Sequence, residues 1–153
     1  MRKNNYRRNI GSVSHATMRE EDLIPAFIWE LRQMKPLRRE DRRLLRAIEA
    51  RMEKPGYYDS EDSSFDLNEC LFDALDTYAL PYFYFGAHPG DGSDYGFWLS
   101  EHLEDDFDGL KVNDLSEVPA NYSGEVLLVN DHGNMSLYIK SRNGRVREIW
   151  SVV

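Results

Sequence analysis

The chain has 153 residues, a formal net charge of −8, 30% charged residues and 12% aromatic residues. That length suits one folded domain with its own core, and the composition excludes a disordered chain. No apolar run nears the ~18 residues of a membrane span, the basic N-terminus lacks the apolar stretch of a signal peptide, and a single cysteine, Cys70, excludes an internal disulfide or a cysteine-rich metal site.

The distribution of charge is more informative than its sum. Residues 1–17 hold Arg2, Lys3, Arg7 and Arg8 and no acid, and residues 32–54 carry nine basic against four acidic groups. Residues 55–110 carry fourteen Asp and Glu and not one Lys or Arg. So one-sided a block forgoes the salt bridges of a mixed surface.

In chain order, residues 1–17 show no periodicity and read as a flexible basic arm or leader, with residues 18–153 forming a single α+β domain. A first helix is expected from Asp22 to Met34, because Leu23, Ile24, Phe27, Ile28 and Leu31 recur at helical spacing. Trp29 lies off that stripe. A second helix runs from Leu37 to about Glu53, with Leu44, Leu45, Ile48 and Met52 on one side. Its other side carries Arg38, Arg39, Arg42, Arg43 and Arg46, expected to be a solvated face paired to Glu40, Asp41, Glu49 and the acidic block. A third helix is expected from Ser64, as N-cap, to Tyr78. Leu67, Cys70, Leu71, Ala74, Leu75 and Tyr78 form its apolar stripe, while Asp66, Glu69, Asp73 and Asp76 form an acidic ridge, about one charge per ~5.4 Å turn.

Strands follow. The aromatic run Pro81–Phe85 and the segment Tyr95–Leu99 suggest a hairpin around a glycine-rich loop. A short acidic turn holds Glu101, Glu104, Asp105 and Asp106. Gly124 to Val153 reads as a three-stranded meander over residues 125–129, 135–140 and 146–152. Asn143-Gly144 is expected to make a two-residue turn, and Asp131-His132-Gly133 a three-residue loop with Gly133 left-handed. That register sets Leu137 opposite Trp150, Met135 opposite Val152 and Ile139 opposite Glu148, an acid on an otherwise apolar face. The expected architecture is α+β: N-terminal helices packed on a C-terminal antiparallel sheet of about five strands.

No stretch carries a diagnostic catalytic motif. The loop from His88 to Asp94 lacks the alternating oxygen ligands of a calcium loop, and turn-forming Asp-Gly accounts for it better. His88, His102 and His132 converging with Asp91 or Asp131 on a metal has no support in the spacing. Asp131, His132 and Glu148 supply an acid–base set for a small hydrolase, but no nucleophile stands in a recognised context. No catalytic residue, metal or cofactor is therefore assigned. The remaining feature is the acidic ridge with the acidic turn. Carboxylates at regular spacing can occupy a basic cleft that otherwise takes phosphates. Asp66, Glu69, Asp73, Asp76, Glu101, Glu104, Asp105 and Asp106 are the expected partner-binding residues, with Tyr95 and Trp98, and also Tyr57 and Tyr58, as aromatic anchors.

The phrases YFGAHPGDGSDYGFW, EDDFDGLKVNDLSEVP and EVLLVNDHGNMSLYIKSRNGRVREIWSVV resemble those of short acidic accessory proteins of bacteria, phages and mobile elements, over residues 81–153. In size and charge the chain is also similar to phage inhibitors of CRISPR or restriction systems. The first resemblance implies no particular activity and transfers no site residues. The combined expectation is a non-enzymatic, cytoplasmic, DNA-mimicking inhibitor that blocks a basic, nucleic-acid-binding surface of a partner protein. It would have no direct nucleic-acid contact and no membrane contact, with a homodimer as the self-association left open. The alternative with the same surface is an immunity-type protein that neutralises a basic toxin.

Overall fold

The apolar residues at helical spacing near the N-terminus form α1, Glu20–Arg32, which buries Leu23, Ile24, Phe27, Ile28 and Leu31. The helix starts two residues before the expected Asp22. Its first-turn acid Glu20 accepts hydrogen bonds from the hydroxyls of Ser63 and Ser64, at 2.5 and 3.0 Å. The computed structural model describes residues 9–153; residues 1–8, with Arg2, Lys3, Arg7 and Arg8 of the expected arm, lie outside the described residues. The described chain is α+β, with two sheets, and divides into two compact units, residues 9–101 and 102–153.

In residues 9–101, α2 (Arg39–Met52) buries Asp41, Leu45 and Ile48. The third helical run starts at Glu61 after Ser60, not after Ser64. It proceeds without a break through α3 (Glu61–Phe65), a π-helical stretch (Asp66–Leu71) and α4 (Phe72–Asp76). Residues five apart on an α-helix point about 140° from one another, at roughly 3.6 residues per turn. The i→i+5 bonding of the π stretch brings Asp66 and Leu71 to the same buried side, at 1% and 0% exposure.

The helices pack on a three-stranded antiparallel sheet of order β1-β3-β2, built from Gly11–Ser14, Asp91–Leu99 and Phe83–His88. The expected hairpin is β2–β3, with Phe85 opposite Phe97. Strand β1 lies inside the segment expected to be an arm, and pairs Gly11 with Phe97 and Ser12 with Gly96. Aromatic edges join the layers: Phe27 meets Phe72 and Phe85 at 5.1 Å each, and Phe85 meets Phe97 at 4.9 Å. Such pairs add to the area they bury.

In residues 102–153, a short α5 (Leu103–Asp106) precedes a four-stranded sheet of order β4-β5-β6-β7. Its strands are Leu110–Val112, Gly124–Val129, Met135–Lys140 and Val146–Val152. β4 runs parallel to β5, and the other pairs are antiparallel. The three-residue loop at Asp131-His132-Gly133 forms as expected, with Gly133 at φ 79° and the Asn130 side-chain oxygen accepting the N–H groups of His132 and Asn134.

The β6–β7 register needs one correction. Leu137 faces Trp150 and Met135 faces Val152, but Ile139 faces Arg147 and Glu148 faces Tyr138. The turn is one residue longer than expected: Ser141 bonds to Arg145 around Arg142-Asn143-Gly144, with Gly144 at φ 86°. A bulge beside Leu137 and Tyr138 takes up the extra residue. Glu148 therefore leaves the apolar face and is exposed.

Candidate functional site

The acidic ridge is altered by the π stretch at its head. Asp66, expected on the exposed ridge, is turned into the core at 1% exposure. Its carboxylate accepts both the Nε (3.0 Å) and an Nη (2.7 Å) of Arg51, and the Tyr57 hydroxyl at 2.9 Å. Burial, and then the bond to Asp66, push the Tyr57 hydroxyl well above its ordinary range. Asp66 is thus a structural anchor between α2 and the third helical run.

The rest of the ridge is exposed. Glu69, Asp73 and Asp76 face solvent, and one Asp76 oxygen accepts the Phe85 N–H at 2.9 Å, fixing that carboxylate against β2. Among the described residues, Asp66 is the one carboxylate of the fourteen between residues 55 and 110 that forms an ion pair. Glu101 is exposed in the first unit. Glu104, Asp105 and Asp106 are exposed on α5 in the second unit, so the expected set is distributed over two units.

The aromatic anchors fall differently from the expectation. Tyr95 is half-buried, with its ring 5.6 Å from Phe72 and 6.1 Å from Phe27, and so belongs to the core edge. Trp98 is half-buried, its N–H donates to the Gly86 carbonyl at 3.0 Å, and its ring stands edge-on to His88 at 4.6 Å. Tyr57 is 4% exposed and Tyr58 packs on it at 5.0 Å. Among the described residues, the large aromatic side chains that do face solvent are Phe65, at 58%, and Trp29, at 64%. Phe65 stands four residues before Glu69. Its position off the Leu67–Leu71–Ala74 stripe was the signal that could have identified it.

Asp131 and His132 sit exposed at the β5–β6 loop, whereas Glu148 is opposite Tyr138. Tyr138 lies three residues along β6 from Met135, about 10 Å at ~3.3 Å per residue. The hydrolase set is therefore not brought together. Among the described residues, no three His, Cys, Asp or Glu side chains cluster to hold a metal ion. Cys70 is half-buried, and burial raises its thiol above its ordinary range. A pocket of about 100 Å³ in residues 102–153 is lined by Leu115, Val118, Val126, Lys140 and Val146. The Lys140 ammonium donates to the carbonyls of Pro119 and Ala120, at 2.8 and 3.3 Å, and so clamps the preceding loop to β6.

No described helix is long and apolar enough to cross a membrane. Comparison with protein-family models, with curated proteins and with solved structures gave no match. What the geometry offers is a class of site: an exposed run of carboxylates on a helix, headed by an exposed phenylalanine.

Proposed function

We propose that the chain is a non-enzymatic binding protein whose acidic helix face occupies a basic, nucleic-acid-binding surface of a partner protein, as an anti-defence inhibitor of a phage or mobile element would. The observation that carries this reading is the exposed series Glu69, Asp73 and Asp76, none of them ion-paired among the described residues, beside the exposed Phe65. Carboxylates at successive turns supply complementarity to a cleft built for phosphates, and a solvent-facing ring supplies a desolvated anchor. The acids of α5 and Glu101 add to the negative field that draws a basic partner in.

The test is capture from the native host on immobilised chain at low salt, followed by competition. A bound basic protein is expected to release the chain when a DNA duplex is added, because both require the same surface. A captured partner that holds chain and duplex together without exchange would contradict the reading.

A further inference from the structure

The outward face of α2 is the least expected surface of the molecule. The sequence suggests that its arginines are neutralised by acids nearby. In the structure Arg38 pairs with Glu40 and Asp41, and Arg51 with Asp66, while Arg32 of α1 takes Glu49. Arg42 donates to the Leu37 carbonyl at 3.0 Å. Arg39, Arg43 and Arg46 are exposed and form no hydrogen bond or ion pair among the described residues. They recur at i, i+4 and i+7, so they share one stripe and advance about one turn, ~5.4 Å, at a time. This side lies directly away from the buried Asp41, Leu45 and Ile48.

We propose that this arginine stripe docks the phosphate backbone of a nucleic acid. Three guanidinium forks at one-turn spacing match a row of phosphates, and each can engage a phosphate through two N–H groups. All three are Arg where a merely solvated face would accept Lys. A membrane surface fits poorly, since the stripe is flanked by Ala47 and Ala50 and has no large apolar side chain to insert. An acidic protein would meet the same charges, and polyglutamate in the test below separates it from a nucleic acid. The contact reads no bases: it positions a strand without choosing a sequence. It is independent of the acidic-face reading, because it uses a different helix and different residues.

The probe is a fluorescein-labelled duplex of about twenty base pairs and its single strand, followed by anisotropy from about 50 to about 200 mM NaCl. Binding is expected with a log–log salt slope of about −2 to −3, as three phosphate contacts require. Arg39→Glu/Arg43→Glu/Arg46→Glu is expected to weaken it at least about tenfold, and the milder triple change to Gln several-fold, each with an unchanged far-UV circular dichroism spectrum. Arg142→Glu/Arg145→Glu, at the exposed β6–β7 turn, is expected to leave it unchanged. Three results would overturn the proposal: no binding of either strand form at the lowest salt, binding indifferent to both triple variants, or equally tight and equally Arg-dependent binding of polyglutamate.

Discussion

Asp66 shows how one side chain can change role when its helix changes pitch. Its carboxylate is buried and holds Arg51 and Tyr57 with three charge-assisted or phenolic bonds. Breaking a buried pair by removing one partner costs roughly 3–5 kcal/mol, and Arg51 keeps partial access to water, so Asp66→Asn is expected to cost about 3 kcal/mol. Urea unfolding measures this, with Tyr57→Phe as a smaller reference of about 1 kcal/mol. A loss under about 0.5 kcal/mol for Asp66→Asn would show that the pair is not an anchor. The role of this residue was not legible in the sequence. Asp66, Glu69, Asp73 and Asp76 have α-helical spacing, and nothing in residue types alone marks the π stretch that turns the first of them inward. The outward Phe65 was missed, although its place outside the apolar stripe of its own helix was a signal for it.

Among elements, the strongly patterned ones were readable and those made by tertiary contact were not. α1, α2 and strands β5 to β7 follow from periodicity and from turn chemistry at Gly133 and Gly144. The register slip between Ile139 and Glu148 arose because a three-residue turn and a bulge midway along β6 compensate each other, leaving Leu137 opposite Trp150 either way. β1 had no signal: Gly11-Ser-Val-Ser is short and mostly polar, and becomes a strand by pairing with β3. That pairing depends on Gly96, where an added Cβ would fall on the Gly11 carbonyl and come within 2.8 Å of the Ser12 Cα. Gly96→Ala is therefore expected to detach β1 and to cost about 2 kcal/mol or more, since backbone on both sides must move. Hydrogen exchange at residues 11–14 measures it directly: protection is expected to fall steeply in the variant, and unchanged protection would contradict the close approach.

On the scale of the whole molecule, the decisive property is charge that stays unsatisfied. Of the fourteen acids between residues 55 and 110, Asp66 alone is neutralised by an ion pair among the described residues, and Arg39, Arg43 and Arg46 on α2 are likewise without partners. Exposed like charges repel and add little to stability, so a face that retains them is suited to complementarity with another molecule. The acidic block was visible in the sequence; its division between two units and the half-burial of Tyr95 and Trp98 were not, because both depend on contacts distant in the chain. The most direct measurement is the dissociation constant of the captured basic partner for the wild-type chain and for Glu69→Lys/Asp73→Lys, across ionic strength. The acidic-face account predicts wild-type binding that weakens steeply with salt, and a variant that folds normally but binds at least about tenfold more weakly at low salt, a difference of about 1.4 kcal/mol or more. Equal affinities for the two chains at every salt concentration would contradict it.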